Sequence, residues 1–224
     1  MFKKWLAIFR KDNLMDRAYQ RSFQMLDITR EMFLEAKISL RQTEDNQVEI
    51  DIYDRDLEVN KYEREVRRHV LNHLAMGGTE KLVSGLILVS IIIDIERIGD
   101  LTKNMIELAL NHPKQLNGGR FENELKRIEN AVEDNFIRTR RCFESSTEES
   151  AKQLLDDYSW VNGTCDRLVY SMVREKDPDI GAGDAVSLAL YTRWLKRINS
   201  HLRNIITSVV NPFDRIGFSP KNPG

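Results

Sequence analysis

Between Asn13 and Asn211, five clusters of turn-forming residues divide the chain into long segments. They are RQTEDNQ (41–47), Gly77-Gly78, HPKQLNGG (112–119), the pair Ser145-Ser146, and KDPDIGAG (176–183). The stretches between them are too long for strands, and their apolar residues recur at helical intervals. In the first, Leu14, Ala18, Met25, Met32, Phe33 and Ala36 fall along one side of a helix. With only 11 Gly and 5 Pro in 224 residues, the composition favours long helices over many short strands. The expectation is an all-α fold of six long helices, over 13–40, 48–76, 79–111, 120–143, 145–175 and 184–211. Thr79 is the expected cap of the third helix and Asp184 of the sixth. Ser145 with Glu148, or Ser146 with Glu149, offers a capping box for the fifth.

The order is three helices, a Gly-containing linker, and three helices. Two echoes relate the halves. DIERIGDLTKN (94–104) recurs one hundred positions on as WLKRINSHLRN (194–204), keeping Arg-Ile and the final Asn. On the preceding helices, Asp56 with Asn60 is echoed by Asn162 with Asp166, both spaced i, i+4. An internal duplication accounts for both: two tandem three-helix bundles with pseudo-two-fold symmetry. The expected segments are an N-terminal piece (1–12), a first bundle (13–111), a linker (112–119), a second bundle (120–211) and a tail (212–224).

On the third helix, Glu96 and Asp100 share one face, and Lys103, Asn104, Glu107 and Asn111 continue the stripe. Taken alone, such a stripe is what the solvated side of any amphipathic helix looks like. The sharper reading is a metal site, with Glu96 and Asp100 facing Asp56 and Asn60 on the neighbouring helix, because oxygen-only donor sets suit hard cations. Asp94 points elsewhere and is expected to form an internal ion pair with an arginine.

Other chemistries find no support. The four histidines are scattered, and no Glu-x-x-His pair of a di-iron bundle occurs. There is no nucleotide-binding glycine loop and no nucleophile elbow. A net charge of −1 supplies no field for nucleic acid. Cys142 and Cys165 form neither a ligand pair nor a disulfide framework. The most apolar run, 82–93, is too short to span a bilayer, and the start MFKKWLAIF lacks the apolar length of a signal peptide. The expected location is the cytoplasm.

DIERIGDLTKNMIE resembles the signature of the PhoU family, the cytoplasmic regulators of phosphate uptake. The first copy matches at Asp94, Glu96, Arg97, Ile98, Gly99, Asp100, Asn104 and Glu107. The second matches only at Arg197, Ile198, His201 and Asn204. The resemblance implies six helices in two bundles, binding rather than catalysis, and action on a phosphate transporter or its sensor histidine kinase. It also implies a divalent or multinuclear metal (iron, zinc, magnesium or manganese) at acidic motifs on the outer surface. By position, Glu96, Asp100, Asp56 and Asn60 are the donors, with Asn104 and Glu107 as further or supporting groups. In the second copy the equivalent set is Asn162, Asp166, Lys196 and Ser200. There an ammonium and a hydroxyl replace two carboxylates, so metal is expected at no more than one site. The retained Arg197, Ile198 and Asn204 are expected to hold the sixth helix in its bundle.

Two further readings stand beside the regulator: a metal-free scaffold or an accessory protein of another anion transporter, and, with less support, a metal-dependent helical-bundle enzyme. A homodimer is left open. At the N-terminus, Phe2, Trp5, Leu6 and Phe9 share one helical face ringed by Lys3, Lys4, Arg10 and Lys11. That face either docks on its own bundle or contacts a membrane surface or transporter.

Overall fold

The computed structural model describes residues 13–43, 48–77, 82–145, 147–174, 179–218 and 220. The expectations placed on Phe2, Trp5, Leu6 and Phe9, on the Thr79 cap and on Ser146 fall outside the described residues. The fold is all-α, and no strand occurs among the described residues. The helices are α1 (Asn13–Arg41), α2 (Ile52–Gly77), α3 (Leu82–Asn111), α4 (Glu122–Ser145), α5 (Glu148–Asp157), α6 (Ser159–Arg174) and α7 (Ala182–Val210). The run Ile91-Ile92-Ile93 lies within α3, with Ile91 and Ile92 fully buried. Helices α1, α2 and α3 pack on one another as the first bundle, and α4 to α7 pack as the second around α7.

Local chemistry sets the ends, and it corrects three expectations. Helix α2 begins at Ile52, because the Asp51 carboxylate accepts from the N–H groups of Tyr53 (3.0 Å) and Asp54 (3.1 Å). The cap of α5 is Thr147, whose hydroxyl accepts from Ser150 N (3.3 Å), and not a serine capping box. Helix α7 is capped by Gly181, and Asp184 lies in its first turn, where a carboxylate complements the helix dipole. There Asp184 meets the ring of His112 at 3.1 Å.

The expected fifth helix is two helices that meet at Tyr158. Its backbone leaves helical geometry (φ −109°, ψ 12°), and its carbonyl faces the Asn199 amide at 3.5 Å. Its hydroxyl donates to Asp134 and its ring lies 5.4 Å from the Arg138 guanidinium. No glycine or proline marks this break, because its cause lies in α4 and α7.

The linker is part of the core. Leu116 is fully buried, and its N–H donates to the Leu40 carbonyl at 2.9 Å. Gly119 takes φ +52°, where a Cβ would also press on Ile180 at 3.0 Å. Beside it, Arg41 at the end of α1 reaches across to the second bundle. Its Nε donates to Glu129 (2.8 Å), its Nη2 to both oxygens of Glu122 (2.8 Å each), and its Nη1 to the Leu116 carbonyl. The buried Tyr191 hydroxyl donates to the same Glu129 oxygen at 2.9 Å. Burial works against the Arg41 charge, but Glu129 and Glu122 outweigh it and raise its pKa.

Removing one member of such a buried set leaves an uncompensated charge. Arg41→Met is therefore expected to cost ~3–5 kcal/mol in urea unfolding. Arg21→Met, which breaks the more exposed Arg21–Glu65 pair at 2.7 Å, should cost about 1 kcal/mol or less. Equal effects would show that the cross-bundle bridge carries no special share of stability.

Candidate functional site

Helices α2 and α3 lie side by side and bring the first acidic set together. At this contact a Cβ on Gly99 would meet Thr29 of α1 and Val59 of α2 at 3.5 Å, an ordinary van der Waals distance. Asp56 and Asn60 are half-buried and bonded to each other, with the amide donating to the carboxylate at 3.3 Å. Lys103 of α3 reaches between the helices. Its ammonium lies 3.2 Å from Asp56 and 3.6 Å from Asp100. Burial tends to lower the Lys103 pKa, yet the bonds to Asp56 and Asp100 prevail and raise it.

Glu96 stands one turn before Asp100, half-buried. Burial raises its pKa most, followed by the charges of Asp100, Glu63 and Asp56, while Arg97 opposes them. Asn104 and Glu107 continue the stripe half-buried, and the Glu107 carbonyl accepts from Asn111 at 2.7 Å. Glu63 was not among the residues expected from the sequence; its place on α2, three residues after Asn60, is the signal that could have found it. Lys103 lies on the stripe that helical periodicity sets on one face of the third helix. Its i, i+3 spacing from Asp100 is the local signal for the ion pair.

The second copy is neutralised differently. Lys196, at the position of Glu96, grips Asp166 through both oxygens at 2.5 and 2.7 Å, and Arg193 adds a contact at 3.5 Å. Asn162 donates to the Ser200 hydroxyl at 2.9 Å and accepts from the buried Asn199 at 3.0 Å. Asn199 in turn accepts from Asn135 of α4 at 2.9 Å. The α6–α7 contact thus combines the Lys196–Asp166 ion pair with a chain of amides and a hydroxyl.

Two other expectations change. Asp94 pairs with no arginine: it meets His201 Nδ1 at 2.7 Å and accepts from Asn204 Nδ2 at 3.1 Å, both on α7. Arg197 is exposed, so it does not hold α7 in place; the buried Ile198 and His201, with Asn204, do so.

The oxygen donors of the first set are those a hard divalent cation takes. In this arrangement the Lys103 ammonium lies against Asp56 and Asp100, so a cation taking these donors would have to displace it. Among the described residues, no three His, Cys, Asp or Glu side chains gather as a ligand set. No helix among them is long and apolar enough to cross a membrane.

The family model described as "PhoU domain" matches residues 23–109, which span most of α1, all of α2 and nearly all of α3. Residues 23–109 match the PhoU domain. The domain therefore contains Asp56, Asn60, Glu96, Asp100 and Lys103, while the second bundle lies outside the match. Two solved structures share the whole fold. The crystal structure of PhoU from Pseudomonas aeruginosa superposes with a TM-score of 0.76 at 20% identity, covering 88% of this chain and 95% of that one. The phosphate transport system regulatory protein PhoU from Streptococcus pneumoniae gives 0.75 at 14% identity, covering 88% and 93%. No curated protein matches the sequence.

The raised Glu96 pKa has a consequence for stability. A carboxyl that holds its proton more tightly when folded makes its ionised form a cost to the fold. That cost is absent below the ordinary carboxylate range and complete above the folded-state pKa. Glu96→Gln should therefore raise the melting temperature near neutral pH and leave it unchanged at about pH 3. Thermal melts across pH test this; a variant destabilised at neutral pH would show that Glu96 is held by a favourable partner.

Proposed function

We propose that this protein is a regulator of phosphate transport or phosphate signalling that works in the cytoplasm by binding a transporter or a sensor histidine kinase. The PhoU domain carries the reading, since it holds the family's acidic motif on the helices that form the first site. The two-bundle fold supports it, as does the name of the Streptococcus pneumoniae neighbour, a phosphate transport system regulatory protein. The proposed action is binding rather than catalysis. Exposed apolar side chains suit such a role at the end where α2 meets α3, among them Leu71, Met76, Leu82 and Val83. Helix α1 starts at that same end, with Arg17 and Arg21 beside His69 of α2.

Deleting the gene should raise phosphate uptake under phosphate-replete conditions, and the intact gene should restore control. Uptake that changes for sulfate or another anion and not for phosphate would favour an accessory protein of a different transporter. No change for any anion would overturn the regulatory reading. Removing residues 1–11 should weaken membrane or transporter association more than it lowers the melting temperature; the reverse would assign Phe2, Trp5, Leu6 and Phe9 to the core.

Glu96, Asp100, Asp56 and Asn60 are the proposed donors for one divalent cation in the first bundle, with Lys103 as its competitor. Lys103→Met should then bind Mn²⁺ several-fold more tightly than the native protein in calorimetric titration. Equal binding by Lys103→Met and by Glu96→Ala/Asp100→Ala would show that these carboxylates are not the donors.

A further inference from the structure

The two bundles keep a cation at equivalent positions but not its counter-charges. One hundred residues separate Asp100 from Ser200, Lys103 from Arg203, and Asn104 from Asn204. On the neighbouring helices Asp56 corresponds to Asn162, each being the first of its i, i+4 pair. In the first bundle the cation is satisfied internally, with Lys103 lying 3.2 Å from Asp56 and 3.6 Å from Asp100. In the second, both carboxylates are gone. Asn162 and Ser200 stand in their places, bonded to each other at 2.9 Å, and Arg203 keeps the charge.

Arg203 is half-buried, and its Nη1 donates to the Leu155 carbonyl. Among the described residues no carboxylate lies within ion-pair distance of it. Burial lowers its pKa, with Asp156 acting weakly against that from beyond contact range. A guanidinium held this way calls for an anion, because a desolvated charge is costly unless paired.

Arg203 lines a cleft of about 250 Å³, together with Leu155, Asn162, Ser200, Asn204 and Thr207. That is roomy beside the ~30 Å³ share of one liquid water. Two amides flank the guanidinium. Asn162 Nδ2 spends one N–H on Ser200, and Asn204 Nδ2 spends one on Asp94 at 3.1 Å. Each NH₂ group keeps a second donor. The acidic groups nearby are engaged elsewhere: Asp94 by His201, and Asp166 by Lys196 at 2.5 Å. Asp156 does not line the cleft and acts on Arg203 only through its charge.

We propose that this cleft binds a small oxyanion, a carboxylate or a phosphate, with Arg203 supplying the charge and Asn162 and Asn204 the flanking hydrogen bonds. The planar fork of an arginine matches two oxygens of either group. The site is independent of the regulatory reading and needs no metal in the first bundle.

Calorimetry and thermal shift on the full chain test it, with inorganic phosphate and acetate in separate arms and chloride at matched ionic strength as the control. The native protein should show saturable binding in at least one arm, and the arm that saturates names the source of the oxyanion. Arg203→Met should abolish binding, while Arg197→Met, on the exposed side of the same helix, should not. Because the loss of Arg203 also removes its bond to Leu155, Ser200→Asp gives a second check. It restores the carboxylate of the first bundle, so it should raise the melting temperature and exclude the ligand. No saturation by either oxyanion at about 10 mM, or undiminished binding in both Arg203→Met and Ser200→Asp, would overturn the proposal.

Discussion

The seam between α3 and α7 is the contact on which both sites depend. Ile91, Ile95 and Ile98 on one helix, and Ile198, Leu202 and Ile205 on the other, are fully buried, and the helices pack together. Apolar side chains alone would tolerate sliding by a turn at modest cost. Asp94 removes that freedom. Its carboxylate is engaged by His201 and Asn204 at 2.7 and 3.1 Å, and a register shift would leave it buried without partners. The same bonds orient Asn204 toward the cleft of the second bundle, and they set the two acidic-motif helices in a fixed relation.

Away from the seam, each bundle solves the same electrostatic problem in its own way. The interhelical contact of the first, α2 on α3, gathers carboxylates and relieves them with one lysine. Its relief is incomplete, because Glu96 lies beyond Lys103 and remains strained toward its neutral form by burial and by Asp100. The equivalent contact of the second, α6 on α7, closes with a chain of amides running from Asn135 through Asn199 to Asn162. It pairs Lys196 with Asp166 and leaves Arg203 as the surplus charge. Duplication thus preserves the frame of packed helices while the polar residues on it diverge, since packing constrains the apolar side and not the charge of the other.

Much of the fold was legible along the chain because helix formation is local. Backbone bonds close over four residues, so long periodic stretches and sparse turn clusters announce α1 to α4 and α7. The break at Tyr158 was not legible. It depends on Asn199 of α7 and on Asp134 and Arg138 of α4, none near it in sequence. The role of the linker was also hidden, since HPKQLNGG looks flexible until Leu116 is found in the core and the Arg41 side chain against its carbonyl.

The candidate site divides along the same line. The sequence by itself determined which residues could share a helical face: Glu96 with Asp100, Asp56 with Asn60, and their altered counterparts a hundred residues on. It could not show which charges meet across helices, because that depends on how far each helix is turned about its axis and slid along it. Only the tertiary structure sent Lys103 to Asp56, gave Asp94 a histidine in place of the expected arginine, and left Arg203 facing a cleft without a carboxylate. Helical periodicity sets the angles within one helix; packing between helices decides the partners.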